Sequence, residues 1–251
     1  FFLYLFAPLV VMSAATFNTS RFPTVTPWQG TTLQWFAALW NDRPMWQSVW
    51  TSIVVAFFVV LVALPVGTAA ALILTSLHAR ARSFLYALMV SPLLTPGVVI
   101  GIATLVLWRQ LGVGGGIFLI VVAQASFIIC YVMLMVAARL QRFDRTQEEA
   151  ALGLGASKFM VFRRILLPFL KPALIAAAFL AVLQSIENYN TTLFVRGFDT
   201  PLTVYIATKV RTGLTPAVNA LALVMIAITI LGAVAYEIAR RRQAAAAPKG
   251  D

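Results

Sequence analysis

A short polar segment after an apolar run carries the side chains best suited to binding a solute. It reads Gln184-Ser185-Ile186-Glu187-Asn188-Tyr189-Asn190. A carboxylate beside such a run is costly unless it faces a cavity, a partner or water, so Glu187 is a candidate for contact with a polar solute or for a gate. The amide and hydroxyl groups that could assist it belong to Gln184, Asn188, Tyr189 and Asn190. Simple exposure to water is the alternative, because Glu187 would lie roughly 27 Å along a helix that starts at residue 169.

A second candidate site lies in a polar, arginine-rich stretch between two apolar runs. Asp144 followed by Gln147 resembles a capping box, which predicts a short helix over 145–154 that Gly155 ends in a left-handed conformation. Ser157 is placed to cap a second helix that runs through Phe159, Phe162 and Ile165, and Pro168 marks where this helix passes into the next apolar run. The stretch is therefore predicted to form a helical hairpin.

The first helix of this hairpin has features of a docking surface. Glu148 and Glu149 fall in its early turns, where the helix dipole favours anions, and Ala150 and Ala151 offer a low profile that can enter a groove. An amphipathic loop resting passively on lipid is the alternative, and it would account for Phe159, Phe162 and the arginine cluster of this stretch.

No catalytic or metal-binding constellation is evident in the sequence. The glycine-rich run 112–116 lacks the lysine and hydroxyl of a phosphate-binding loop, so it is interpreted as a flexible outer turn. The single histidine, His78, and the single cysteine, Cys130, are far apart. We therefore expect a noncatalytic chain with no metal and no cofactor of its own.

Composition places these segments in a membrane protein. The 251 residues are 61% hydrophobic, with a mean hydropathy of +0.90, which is more apolar surface than a soluble core of this size can bury. The net charge of +11 comes from basic residues in the loops beside the apolar runs. Membrane topology explains that placement better than a nucleic-acid-binding face does, so no nucleic-acid partner is expected.

Six apolar runs meet or approach the roughly 20 residues needed to cross a bilayer. Continuous runs indicate helices rather than a barrel, so the fold class is an all-α membrane protein with six transmembrane helices, and the hairpin lies between the fourth and fifth. The predicted spans are 1–16, 50–74, 84–108, 117–138, 169–188 and 218–238. The chain starts inside the first of them, so a preceding N-terminal stub is expected.

The distribution of basic residues predicts the orientation. Thirteen of the 19 lysines and arginines fall on the side that carries the hairpin. The positive-inside rule places that side, and both termini, in the cytoplasm.

The third predicted span is interrupted by Pro92, Pro96 and Gly97. Two missing amide donors and a glycine predict a kink or local unwinding. Such a break can line a cavity or can simply improve packing, and the sequence favours neither.

The hairpin carries the pattern Glu-Ala-Ala-x3-Gly-x9-Ile-x-Leu-Pro. Its defined positions are Glu149, Ala150, Ala151, Gly155, Ile165, Leu167 and Pro168. This pattern resembles the cytoplasmic signature loop of permease subunits of bacterial ABC importers that are fed by a soluble binding protein. Weaker motifs along the chain look like the second permease subunit of spermidine/putrescine-type importers. They include Ser91-Pro92, Arg139-Leu140 with Phe143-Asp144, and Phe194-Val195-x-Gly197.

The resemblance implies a single permease domain over 1–251, in a bacterial inner membrane, with a cytoplasmic coupling loop at about 139–168. It implies that the signature residues, with Glu148, seat the loop on an ATPase. The implied partners are a second homologous permease, two ATPase subunits, a soluble binding protein and membrane lipid. ATP and Mg would be bound by the ATPase subunits.

The cargo stays open at this point. Polyamine permeases typically carry two adjacent acidic residues after the fifth span, whereas Asn188 follows Glu187 here. A polyamine, a less charged cation, an amino-acid-like zwitterion, an opine or an aminoalkylphosphonate would each fit, and Arg196 nearby could favour an anionic group. A self-sufficient secondary transporter or channel is the alternative class, for which broken helices and a carboxylate would also be natural.

Overall fold

The computed structural model describes residues 2–213 and 215–246, and these are helical apart from connecting turns and one isolated bridge between Asn18 and Thr31. The all-α prediction is confirmed for this part of the chain. Phe1 and Lys249, on which the first span and the charge count drew, lie outside it. The helices are α1 Phe2–Thr16, α2 Gln34–Trp40, α3 Arg43–Ser76, α4 Ala79–Leu94, α5 Gly97–Gln110, α6 Ile117–Leu140, α7 Thr146–Gly153, α8 Lys158–Val161, α9 Leu167–Glu187, α10 Thr192–Val195, α11 Leu202–Thr212 and α12 Pro216–Ala246. A π-helical turn, Phe162–Leu166, joins α8 to α9.

Within the part of the chain that the structure describes, three helical segments are long and apolar enough to cross a membrane, namely Arg43–Ser76, Ile117–Leu140 and Lys158–Glu187. The bent pair α4 and α5 would make a fourth span if it is counted as one. The first and last predicted spans correspond to shorter apolar helices, Phe6–Thr16 and Pro216–Leu231. The count of six spans therefore stays a prediction.

The chain divides into two compact units, and the larger comprises Gln47–Tyr205. Its centre is α6, which packs against α4, α5, α9 and α10. Leu119, Ile120 and Ile128 on this helix are fully buried. They form one apolar core with residues of α3 and α9 such as Val59 and Leu170.

Glycines set two close approaches in this unit. A Cβ on Gly67 would lie 2.7 Å from the Cβ of Val132, so α3 and α6 touch at that point, and α3 runs through Pro65 without a break. In the predicted flexible turn 112–116, only the first part is open. Gly116 donates its N–H to the Val195 carbonyl at 2.9 Å, and a Cβ on Gly115 would lie 2.7 Å from the Gly197 nitrogen. The second half of the turn is thus packed against distant backbone, a contact that glycine content cannot reveal.

The smaller unit comprises Phe1–Trp46 and Ile206–Asp251. Within it α12 contacts α1 and α2. The loop after α1 is organised by Asn18, which is buried and whose amide nitrogen donates to the carbonyls of Thr24 and Pro27 at 2.9 and 3.1 Å. Lys209 and Asp42 form an ion pair at 3.6 Å.

Candidate functional site

The polar segment at the end of α9 and the break between α4 and α5 line one cavity of about 220 Å³. All five residues that the sequence singled out there contribute to it: Gln184, Glu187, Asn188, Tyr189 and Asn190. The other lining residues come from the break and from α5, α6 and the following turn: Pro92, Leu93, Thr95, Gly97, Ile100, Phe127, Tyr131 and Thr191. Two features that were predicted separately therefore belong to one site.

The predicted break in the third span is confirmed. The axes of α4 and α5 differ by 100°. Thr95 is extended, with φ −87° and ψ 130°, and Pro96 follows with φ −55° and ψ 132°. These two residues are not helical, so the helical path is interrupted between α4 and α5 at the point where the cavity lies.

The break is held open by contact with the 188–191 turn. A Cβ on Gly97 would lie 2.8 Å from Thr191 Oγ1, and one on Gly101 would lie 2.6 Å from the Thr191 carbonyl oxygen. Only residues without a side chain allow the turn to approach α5 this closely. Thr191 is itself buried and was missed by sequence analysis, because nothing local marks a contact over this distance in the chain.

A buried polar network fixes the geometry around the end of α9. Gln124 is 1% exposed, and it donates to Thr192 Oγ1 at 2.8 Å and accepts from Ser185 Oγ at 2.6 Å. Asn188 Oδ1 accepts from the N–H and the hydroxyl of Thr192 at 3.2 and 3.0 Å. An amide inside an apolar helix was the available signal for Gln124, since such a group is costly without partners.

Charge in the cavity is concentrated on one group. Among the described residues that line it, Glu187 is the only ionisable acid or base apart from two tyrosines, and its side chain is exposed. The rings of Phe127, Tyr131 and Tyr189 add aromatic surface. Arg196 is not among the lining residues, and its guanidinium donates to Thr200 Oγ1 at 2.9 Å. The arrangement suits a small molecule that carries a positive group.

The loop between α6 and α9 has the two predicted short helices. Gly155 has φ +85°, its N–H donates to the Leu152 carbonyl at 3.0 Å, and the Ala156 N–H donates to the Ala151 carbonyl at 3.1 Å. This pair of bonds is the Schellman arrangement that ends a helix at glycine. Ser157 Oγ accepts from the Met160 N–H at 3.2 Å, so its predicted capping role is confirmed.

The start of α7 differs in detail from the predicted capping box. Asp144 Oδ1 accepts from the N–H and the hydroxyl of Thr146, at 3.0 and 2.7 Å, rather than from the Gln147 N–H. The helix begins at Thr146, one residue later than predicted. The side-chain bond from Thr146, followed by its backbone bond, lowers the pKa of Asp144.

The predicted coupling residues fall into two groups. Glu148 and Ala151 are half-buried, whereas Glu149, Ala150 and Gly155 are exposed. Two apolar side chains beside them were not among the predicted coupling residues but are exposed: Leu154 is 90% exposed and Phe159 is 70% exposed.

The remaining predicted coupling residues, Ile165, Leu167 and Pro168, lie where the hairpin joins α9. The helix is continuous from Lys158 to Glu187, so the second helix of the hairpin passes directly into the apolar run at Pro168. The π-helical turn before Pro168 accommodates its missing amide donor.

The sequence profile described as "Binding-protein-dependent transport system inner membrane component" matches residues 63–245. The chain belongs to this family. It is thus a permease subunit of a binding-protein-dependent ABC importer. Members of the family are noncatalytic transport components, which agrees with the lack of a phosphate-binding loop in the sequence.

Relatives of this permease are similar over nearly their whole length. The spermidine/putrescine transport system permease protein PotC of Escherichia coli (strain K12) is 31% identical over 241 residues, which cover 95% of this chain and 90% of PotC. The putrescine transport system permease protein PotI of the same strain is 33% identical over 251 residues, covering 96% and 89%.

Solved structures share the fold of the permease. A chain of a bacterial ABC transporter involved in the import of the acidic polysaccharide alginate matches with a TM-score of 0.68 and 18% identity, over 95% of this chain and 91% of that chain. A chain of an amino acid ABC transporter matches with a TM-score of 0.56 and 18% identity, over 84% and 100%.

Two arginines make noncovalent contacts between the base of the hairpin and neighbouring helices of the permease. Arg139, at the end of α6, donates from Nε to the Phe169 carbonyl at 3.2 Å, and its guanidinium carbon lies 4.2 Å from the centroid of the Phe169 ring. The Phe143 and Phe169 rings are 5.0 Å apart. Arg145 Nη2 donates to the Thr75 carbonyl at 3.0 Å, at the end of α3. Both α3 and α9 are thereby connected to the loop.

Proposed function

We propose that this permease forms half of the path for a small organic cation of the polyamine class, and that ATP hydrolysis by separate subunits drives the import. One observation carries the choice of cargo: the cavity at the break has a single carboxylate, Glu187, aromatic walls and no basic residue among its described lining. A cation placed there would gain attraction from the carboxylate and from the ring faces.

The size of the cavity and the nature of the relatives support the same cargo. At about 220 Å³ the cavity is smaller than the sites that hold drug-sized ligands, so it suits a slender molecule. PotC and PotI are named as permeases for spermidine/putrescine and for putrescine. The hydrogen bond that holds the Arg196 side chain to Thr200, away from this lining, weighs against an anionic cargo.

A second part of the proposal concerns the loop 139–168. Its exposed residues include acidic Glu149 and apolar Leu154 and Phe159, of which the last two are 90% and 70% exposed. Large apolar side chains at the tip of a polar loop are typical of a protein contact, and here the proposed occupant is the groove of an ATPase subunit. ATP and Mg would be bound by a pair of those subunits, and a second homologous permease and a soluble binding protein would complete the transporter.

The charge at Glu187 provides the test of the proposed cargo. We expect Glu187→Gln to lower ATP-dependent putrescine uptake at least about tenfold, because the substitution removes the one charge that faces the cation but keeps the shape. Glu187→Asp keeps the charge and should retain most of the uptake. Wild-type uptake by Glu187→Gln in a correctly assembled complex would contradict the proposed role.

A further inference from the structure

The helix that leads from the hairpin into the membrane contains a weak joint. Pro168 and Pro172 have no amide hydrogen, so the carbonyls of Arg164 and Pro168 lose their usual helical donors. Just before them, the π-helical turn Phe162–Leu166 shifts the hydrogen-bond pattern by one residue, and the Leu167 N–H donates to the Phe162 carbonyl. Prolines and π-turns are the sites where helices bend. A displacement applied to α8 would therefore be absorbed at this joint unless neighbouring groups hold it.

Three side chains hold the joint from the outside, and we call Arg139, Phe143 and Phe169 the brace. All three are half-buried. Arg139 makes both a hydrogen bond to the backbone of Phe169, at 3.2 Å, and a cation–π contact with its ring, at 4.2 Å. The Phe143 ring lies 5.0 Å from the Phe169 ring and tilted by 58°. The brace thus connects the end of α6 and the start of the loop to the first turn of α9, inside the stretch that the two prolines weaken.

We infer that the brace transmits movement of the hairpin to the solute cavity, with Arg139 and Phe169 as its positioning residues. The inference rests on the proposed function, because it presumes that an ATPase moves the hairpin. From Phe169 to Glu187 the helix rises by about 27 Å at 1.5 Å per residue. A helix fixed in direction at its braced end carries a displacement of that end to Glu187, whereas an unbraced joint bends and leaves Glu187 in place.

The loop offers a matched control for Arg139. Arg142 is one turn further along the chain and is exposed. Replacing either arginine by methionine removes one positive charge from the same side of the protein. Only Arg139→Met removes the contacts with Phe169.

The test uses the complete transporter in proteoliposomes, with putrescine uptake and ATP hydrolysis measured on the same preparation. We expect Arg139→Met and Phe169→Leu to keep the ATPase subunits bound and hydrolysing ATP, while the solute taken up per ATP falls about fivefold or more. Phe169→Tyr, which keeps the ring, and Arg142→Met should stay close to the wild-type ratio.

Different outcomes separate this inference from the proposed function. An unchanged ratio of uptake to hydrolysis in both Arg139→Met and Phe169→Leu would overturn it, and so would an equal fall in Arg142→Met. Loss of the ATPase subunits from both brace variants would also overturn it, because the brace would then serve docking rather than transmission. A wild-type chain that binds no ATPase would instead refute the proposed function.

Discussion

Gly101 and Thr191 approach each other closely beside the cavity at the α4–α5 break: a methyl group on Gly101 would lie 2.6 Å from the Thr191 carbonyl oxygen. This contact holds the 188–191 turn against α5 and so defines one wall of the cavity. Both segments are needed for the cavity, because the break between α4 and α5 provides the space and the 188–191 turn borders it.

We predict that Gly101→Ala destabilises the permease. Alanine in place of glycine in a helix favours folding by about 1 kcal/mol, but the clash is with backbone, and overpacking of this kind costs about 1–3 kcal/mol. The cost of the clash should exceed the gain in helix propensity, so we expect a lower thermal transition temperature in detergent and lower uptake. Gly114→Ala, where a Cβ meets nothing within 4 Å, is the control. A Gly101→Ala protein as stable as the control would show that the turn is not held as described.

The hairpin turn allows a sharper comparison between two glycines. Gly155 has φ +85° and ends α7, whereas Gly153 lies within α7, and both face open space. Gly155→Pro should abolish attachment of the ATPase, because proline requires a negative φ and the two terminal bonds would be lost. Gly153→Ala should leave attachment intact and strengthen α7 by up to about 1 kcal/mol. Co-purification of the ATPase with each variant distinguishes them, and normal attachment in Gly155→Pro would argue against docking through this turn.

The start of α7 should respond to acid in a defined direction. Bonds from Thr146 lower the pKa of Asp144 in the folded protein, so the contribution of Asp144 to stability is present above its unfolded pKa and is lost as pH falls through the lowered folded pKa. Thr146→Val removes the hydroxyl bond and should raise the Asp144 pKa towards its ordinary value. Hydrogen exchange of residues 146–150, compared at equal pH, should show weaker protection in the variant at neutral pH. The difference should vanish once Asp144 is protonated in both proteins, and a difference that grows in acid would contradict the assignment.

Substitutions of Asn188 can distinguish its structural role from an effect of charge on the choice of cargo. Its Oδ1 accepts two bonds from Thr192, and an aspartate could accept the same bonds. Asn188→Asp should therefore keep the fold while adding a second negative charge beside Glu187, which favours putrescine over a monoamine competitor. Asn188→Ala should lower stability by about 1 kcal/mol, the usual net contribution of a hydrogen bond. Competition between the two amines for uptake checks the first expectation, and a selectivity that Asn188→Asp leaves unchanged would place this residue outside the cargo contact.

The parts of the site that could be predicted from the sequence are those where a residue departs from the local pattern of an apolar helix. Pro92, Pro96 and Gly97 interrupt an apolar run, and Glu187 places a carboxylate next to one, so each was visible without a structure. The same holds for Gly155 and Ser157, whose roles depend on neighbours within a few residues.

The parts that the sequence could not predict depend on contacts between distant segments. Gln124 meets Thr192 across 68 positions, and Arg139 meets Phe169 across 30. Gly115 and Gly116 looked like part of a flexible turn because their partners, near Val195, are equally remote. The π-helical turn before Pro168 was likewise not predicted, because no local pattern in the sequence marks it.

The central claim is that a separate ATPase drives solute import through this permease. The most direct measurement is ATP-dependent uptake of labelled putrescine into proteoliposomes, using the complex purified through an affinity tag on this chain. We predict that an ATPase and a second permease co-purify, and that uptake requires both ATP and the soluble binding protein. A chain that purifies alone and moves the solute down its gradient without ATP would contradict the claim.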